Sequence, residues 1–124
     1  MEPFRSVPER LRDAIATLIN APREEVVLAN SASYGLHLLA NGIPWEAGDE
    51  ILVVDGDFPA NILPWLGVEQ QSTNVQVRQL SPQSHLPTPE ELAASITPDT
   101  RLFCTTWVHS FSGQTAHLQA LGEV

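Results

Sequence analysis

Ser33 is placed where a serine hydroxyl could help to bind an anion. It lies in the segment from Ala32 to Gly35, which follows an apolar run at 26–29 and opens a helical pattern continued by Leu36 and Leu39. Free N–H groups and the positive end of the dipole at a helix start attract phosphate, and a serine hydroxyl adds a donor. The alternative is a serine that only caps a helix packed on the core, and the residues alone favour the cap.

Other residue types that can do chemistry lack the spacing that the chemistry requires. The four histidines and the single cysteine do not have the close spacing of a zinc site, so we predict no metal site. A Ser/His/Asp triad could be drawn from Ser110, His109 and Asp57, but neighbours in an extended segment point to opposite faces. The segment 55–57 is better explained as a strand-ending turn. His109 could carry a proton, but a histidine after a strand is more often structural.

The composition indicates one acidic domain. The chain has 124 residues, 43% of them hydrophobic, which is enough for one core, and we predict a single domain over residues 1–124. Its net charge of −9 would repel a nucleic acid backbone or an anionic membrane surface, so neither is an expected partner. Cys104 cannot form an internal disulfide, which fits a reducing cytoplasm. No stretch approaches the roughly 18 apolar residues of a membrane-spanning helix.

The hydrophobic pattern changes repeatedly between the period of a helix and that of a strand. Thr88, followed by a proline and two glutamates, predicts a capped helix start. A continuous apolar run at 51–54 is typical of a strand buried on both faces of a parallel sheet. The predicted helices cover residues 8–20, 33–42, 61–66, 89–96 and 115–121, and the predicted strands cover 26–29, 51–54, 75–80 and 101–106.

This alternation predicts an α/β fold with a mainly parallel sheet covered by helices. Ligands of such sheets bind at the carboxyl ends of the strands. The candidate site is therefore formed by the loops after Ala29, Val54 and Thr106.

Four segments carry a further signal: residues 30–35, 58–65 and 108–113 in those loops, and residues 47–50 before the central strand. Together they resemble the class V aminotransferases, a fold type I family of enzymes that depend on pyridoxal phosphate (PLP). The family includes cysteine desulfurases, kynureninase-like enzymes and isopenicillin-N-epimerase-like proteins. The resemblance runs from about Pro8 to Gly122. It implies a three-layer sandwich that forms the central part of the large cofactor domain.

The resemblance also implies a cofactor site of four residues. Ala32 and Ser33 would bind the phosphate, and Phe58 would take the place of the aromatic residue stacked on the pyridine ring. Ser110 occupies the position of an asparagine or other polar residue near the ring oxygen. Phenylalanine rather than histidine at position 58 favours the epimerase-like members. The alternative for Phe58 is a residue of the core.

None of the six basic residues is a lysine. The family holds PLP through a Schiff base to a lysine, and that lysine, like the aspartate that pairs with the pyridine nitrogen, is expected beyond Val124. We therefore expect a truncated domain that binds PLP weakly and without a covalent bond, and that has no turnover by itself. An amino acid would be the substrate of a full-length form, and the expected partner is a second copy. The alternative is a non-catalytic assembly or binding module.

Overall fold

Three parallel strands form a sheet in the order β2-β1-β3 in the computed structural model, which describes residues 2–71 and 74–124. Short 3-10 turns lie at Arg23–Glu25 and Pro59–Asn61. The helices are α1 (Glu2–Ile19), α2 (Ala32–Gly42), α3 (Leu63–Gln71), α4 (Pro89–Ser95) and α5 (Leu118–Gly122), and the strands are β1 (Glu50–Val54), β2 (Gln76–Leu80) and β3 (Thr100–Cys104).

The central strand β1 is the most buried part of the sheet. Its apolar residues, Ile51 to Val54, have no exposed surface, as the apolar run predicts. Ile51 pairs with Val77 of β2 on one side and with Leu102 of β3 on the other. Because side chains alternate along a strand, β1 supplies apolar surface to both faces of the sheet.

Helices cover both of those faces, which confirms the predicted three-layer α/β sandwich. On one face, Ala40 of α2 and Trp65 of α3 pack in the same cluster as Ile51 and Val53. On the other face, Leu92 of α4 and Leu121 of α5 pack in a cluster with Leu52. Within the described residues, no helix is both long enough and apolar enough to cross a membrane.

The start of α4 has the predicted capping arrangement. The Thr88 hydroxyl accepts a hydrogen bond from the N–H of Glu91 at 3.2 Å, and the Glu91 carboxylate accepts one from the N–H of Thr88 at 2.8 Å. This reciprocal pair satisfies two donors that the helix itself cannot use. Pro89 occupies the first helical position, where its missing N–H removes no helical bond.

The amino ends of the three strands are joined by one carboxylate. Glu50 of β1 is 7% exposed and accepts hydrogen bonds from the Arg78 guanidinium of β2 and from the Thr100 hydroxyl of β3. The Thr97 hydroxyl donates a further bond at 3.4 Å. The guanidinium beside Glu50 holds the pKa of that carboxyl below its ordinary value.

The prediction of a strand at 26–29 is wrong. These residues lack strand structure: Val26 is buried, but Val27 is 68% exposed. A strand needs a neighbour that supplies N–H and C=O groups, and an apolar run does not show whether such a neighbour exists. The segment leads directly into α2.

Two helix starts also differ from the predicted ones. Helix α1 begins at Glu2 and contains Pro8, which lies in its second turn and removes one helical hydrogen bond without ending the helix. Helix α5 begins at Leu118 instead of Thr115, because Thr115 pairs with Val108 in an antiparallel bridge. The imidazole of His117 then caps α5 by accepting from the N–H of Ala120 at 3.2 Å.

Candidate functional site

Asp57 lies at the point where the loops after β1 and β3 meet. The chain leaves β1 through the predicted turn at Gly56, which has a φ of +75°, a value that suits glycine. Asp57 follows and is 7% exposed. Its Oδ1 accepts a hydrogen bond from the N–H of Phe58 at 2.6 Å, and its Oδ2 accepts one from the N–H of Thr106 at 2.9 Å. The carboxylate therefore ties the end of β1 to the end of β3.

The same carboxylate reaches the loop that borders α2. Oδ2 of Asp57 also accepts a hydrogen bond from the side-chain amide of Asn61 at 3.0 Å. Asn61 ends a 3-10 turn and lines a mostly apolar groove together with Ser31 and Ala32 at the start of α2. The sequence predicts the turn at 55–57 but does not predict that Asp57 links these loops, because its partner Thr106 lies 49 residues further along the chain.

Ser31 caps the start of α2. The expectation that Ser33 begins this helix is therefore wrong. Ser31 has an extended backbone, and its hydroxyl accepts a hydrogen bond from the N–H of Tyr34 at 3.2 Å. Ser33 is instead the second residue of the helix. Because Ser31 serves as the cap, Ser33 is not needed for that purpose.

Ala32 and Ser33 present unused donors. Their backbone N–H groups belong to the first turn, where a helix offers no acceptor. The Ser33 side chain is half-buried, and its hydroxyl makes no hydrogen bond to any residue that the structure describes. Two N–H groups, a hydroxyl and the positive end of an 11-residue helix are a suitable set for a phosphate.

Phe58 is 54% exposed, so the alternative that it belongs to the core is wrong. It directly follows Asp57, which fixes its backbone N–H. An exposed aromatic ring held at its backbone can stack on a flat ligand. Trp65, seven residues later, is 1% exposed and packs against Trp45 with ring centroids 6.4 Å apart, so it is a core residue.

Ser110 lies in the turn between the bridge residues Val108 and Thr115 and is exposed. Gly113, in the same turn, has a φ of +71° and donates its N–H to the carbonyl of His109 at 2.8 Å. Among the described residues, no hydrogen bond or ring contact joins Ser110 to Phe58 or Ser33. The structure therefore places Ser110 on the expected loop without bringing it into contact with the other predicted site residues.

His109 has a structural environment. It is 6% exposed, and its ring stacks on that of His85 with centroids 4.7 Å apart. Its Nδ1 lies 3.1 Å from the N–H of Ser112, a group that can only donate, so this nitrogen is an acceptor. Because Nδ1 binds Ser112 and the Asp57 carboxylate binds other groups, a triad of Ser110, His109 and Asp57 is not formed.

Four of the described arginines form ion pairs with carboxylates. Arg78 pairs with Glu50 and Arg101 pairs with Asp49 at 3.5 Å, both at the amino ends of the strands. Arg12 and Arg23 pair with Glu9 of α1. These four guanidinium groups are therefore engaged by carboxylates, and the donors shown at the start of α2 are N–H and hydroxyl groups.

Comparison with known proteins matches residues 2–124 to the family described as Aminotransferase class-V. A probable cysteine desulfurase of Xylella fastidiosa is 35% identical over 111 residues, which cover 85% of this chain and 26% of that protein. A second probable cysteine desulfurase, from Methanothermobacter thermautotrophicus, is 23% identical over 94% of the chain and 29% of its own length. The chain thus spans about a quarter to a third of these relatives.

Solved structures give the same result for the fold. The cysteine desulfurase CsdA of Escherichia coli superposes with a TM-score of 0.83 at 28% identity, over 93% of this chain and 30% of that one. A variant of C-DES, described with glycine covalently linked to the PLP cofactor, gives a TM-score of 0.87 at 21% identity, over 98% and 32%. These relatives are desulfurases and a cystine C–S lyase, and none supports the epimerase-like preference drawn from Phe58. The chain belongs to the class V aminotransferase family.

Proposed function

We propose that this chain forms the phosphate-binding and ring-binding part of a PLP site in an enzyme of the cysteine desulfurase type. One observation carries the proposal: the start of α2 presents the unused N–H groups of Ala32 and Ser33 and the unpaired Ser33 hydroxyl. The groove at this helix start includes Asn61, which Asp57 ties to the loop of Phe58. When bound, PLP supplies an electron sink for reactions at the α-carbon of an amino acid.

Each of the predicted site residues would contact a different part of the cofactor. Ala32 and Ser33 donate to the phosphate, and the exposed face of Phe58 packs on the pyridine ring and keeps water from that side. Ser110 offers an exposed hydroxyl to the ring oxygen. These groups fit the phosphate and the ring, whereas the chain contains no lysine that could bind PLP covalently.

The chain by itself would therefore bind PLP without a covalent bond and would not turn over an amino acid. The relatives favour cysteine as the substrate of a longer form, because several are named cysteine desulfurases. Cys104 does not supply a reactive thiol, since it is 8% exposed and burial raises its pKa.

The test is a titration of the purified chain with PLP and, separately, with inorganic phosphate, followed by absorbance and thermal stability. We expect PLP to stabilise the chain saturably and more than phosphate does. Ser33→Ala should weaken the binding of both ligands, whereas Phe58→Ala should weaken only that of PLP.

Two variants serve as controls in this titration. Within the described residues the exposed Ser81 hydroxyl bonds Asp55 alone, and Ser81→Ala removes it. Val124→Ala shortens an apolar side chain that is 49% exposed and lies beyond α5. Both should bind like the unchanged chain. No saturable binding of PLP by the unchanged chain would overturn the proposal.

An assembly module is the second candidate, and the surface of α1 favours it. Four large apolar side chains at helical spacing are at least about half exposed: Phe4, Val7, Leu11 and Leu18. This pattern is typical of a helix that packs on another helix. We propose that two copies of the chain associate through this α1 stripe, defined by those four residues.

A further inference from the structure

We infer that Asp57 is the positioning residue of the proposed cofactor site. Its carboxylate holds two loops, the one at 57–61 and the one that begins at Thr106, in the arrangement that the site requires. The inference rests on the proposed function. It assigns to Asp57 no contact with the cofactor. Asp57 acts on the site through its hydrogen bonds with Phe58, Asn61 and the residue Thr106 that follows β3.

The hydrogen bonds of Asp57 explain why a carboxylate occupies this position. Three N–H donors converge on it, from Phe58, Asn61 and Thr106, at 2.6, 3.0 and 2.9 Å. An ionised carboxylate only accepts, so it can receive all three bonds. Asparagine has the same shape, but its NH2 group would face at least one of these donors and leave it without a partner.

The three donors belong to the segments that carry the predicted cofactor contacts. The bond to Phe58 fixes the backbone that holds the stacking ring, and the bond to Asn61 reaches the groove beside Ala32. The bond to Thr106 fixes the start of the loop that leads to Ser110. Because Asp57 is 7% exposed, water competes little for these bonds, and the carboxylate sets the distance between the 57–61 loop and the loop at Thr106.

The test compares Asp57→Asn with Asp55→Asn, the same substitution two residues earlier. Asp55 is exposed, and its carboxylate accepts from the Ser81 hydroxyl at 3.2 Å. We expect the Kd for PLP to rise about tenfold in Asp57→Asn and to stay unchanged in Asp55→Asn. Amide hydrogen exchange should become faster at Phe58 and Thr106 in Asp57→Asn alone.

Leu92→Ala separates positioning from general loss of stability. Leu92 is 2% exposed and lies in the core on the α4 side of the sheet. This variant should lower the melting temperature yet keep the Kd for PLP measured well below that temperature. If Asp57→Asn does not fold, Asn61→Ala removes only one of the three donors, and it should raise the Kd in the same direction by a smaller factor.

The outcomes distinguish this inference from the proposal on which it rests. If the unchanged chain binds PLP and Asp57→Asn binds it with the same Kd, Asp57 is not a positioning residue. An equal rise of the Kd in Leu92→Ala would also overturn the inference, since stability alone would then explain the loss. If the unchanged chain does not bind PLP, the proposed function fails, and the inference fails with it.

Discussion

At the scale of single residues, Glu50 and Asp57 have parallel functions at opposite ends of β1. Glu50 receives donors from β2 and β3 at the amino ends of the strands, and Asp57 receives donors from two loops beyond the carboxyl ends. Glu50 has the Arg78 guanidinium beside it, whereas the donors to Asp57 among the described residues are neutral N–H groups. A buried carboxylate at each end therefore joins the central strand to its neighbours by hydrogen bonds.

Glu50→Gln should lower the free energy of unfolding by about 1–3 kcal/mol at neutral pH, because it weakens charge-assisted hydrogen bonds to a buried group. The pKa of Glu50 is lowered from 4.5, first by the Arg78 hydrogen bond. Its stabilising effect is therefore complete above that ordinary value and is lost as the pH falls through the lower pKa of the folded state.

Urea unfolding of Glu50→Gln and the unchanged chain, from neutral pH to about pH 3, tests this prediction. The difference between the two proteins should shrink at the acid end. Glu90→Gln, in the exposed first turn of α4, is the control for loss of one negative charge. A difference that is constant over the whole range would contradict the prediction.

Cys104 should react slowly with a thiol reagent while the chain is folded. Burial raises the pKa of its thiol. The thiolate is the reactive form, and the side chain is also shielded from the reagent. Labelling in the native state should follow the rate of unfolding, and in urea it should be fast. Rapid native labelling would mean that Cys104 is accessible.

At the scale of elements, the sequence predicted those whose formation depends on local residues. The apolar run of β1 and the capping pattern of α4 each carry their own signal. The strand predicted at 26–29 failed because a strand depends on a partner elsewhere in the chain. The cap of α2 was assigned to Ser33 because Ser31 and Ser33 are both suitable caps, and only the backbone geometry distinguishes them.

Thr88→Ala should lower the free energy of unfolding by about 1 kcal/mol, because it removes the side-chain half of the capping pair at α4. Thr17→Ala is a matched control: in the part of the chain that the structure describes, its hydroxyl bonds the carbonyl of Asp13 within α1, at 2.9 Å, and no other group. That change should be neutral or slightly stabilising. Denaturant unfolding of the two variants measures the difference, and equal effects would show that the cap contributes little.

At the scale of the whole molecule, the exposed α1 stripe and the net charge of −9 oppose each other in self-association. Apolar burial favours contact between two copies, whereas like charges repel them over about 10 Å at moderate salt. The composition predicts the charge, and the periodicity of α1 predicts the helix, but only the structure shows that the stripe is left uncovered.

Sedimentation at low and high salt should therefore show stronger self-association at high salt, because salt screens the repulsion. Leu11→Ser and Leu18→Ser, which shorten the α1 stripe, should weaken association at both salt concentrations. Leu63→Ser, at an exposed leucine of α3 outside the stripe, is the control. A monomer under all conditions would exclude the assembly proposal.

The parallel arrangement of β1 with both neighbours also determines how the chain can reach its native state. Glu50 contacts partners 28 and 50 residues further along the chain, so no two strands of the sheet can form as a local hairpin. Long loops must close before the sheet stabilises them, and proteins with such distant pairings fold slowly for their size. We therefore expect the folding rate to be limited by the step that brings β1 between β2 and β3.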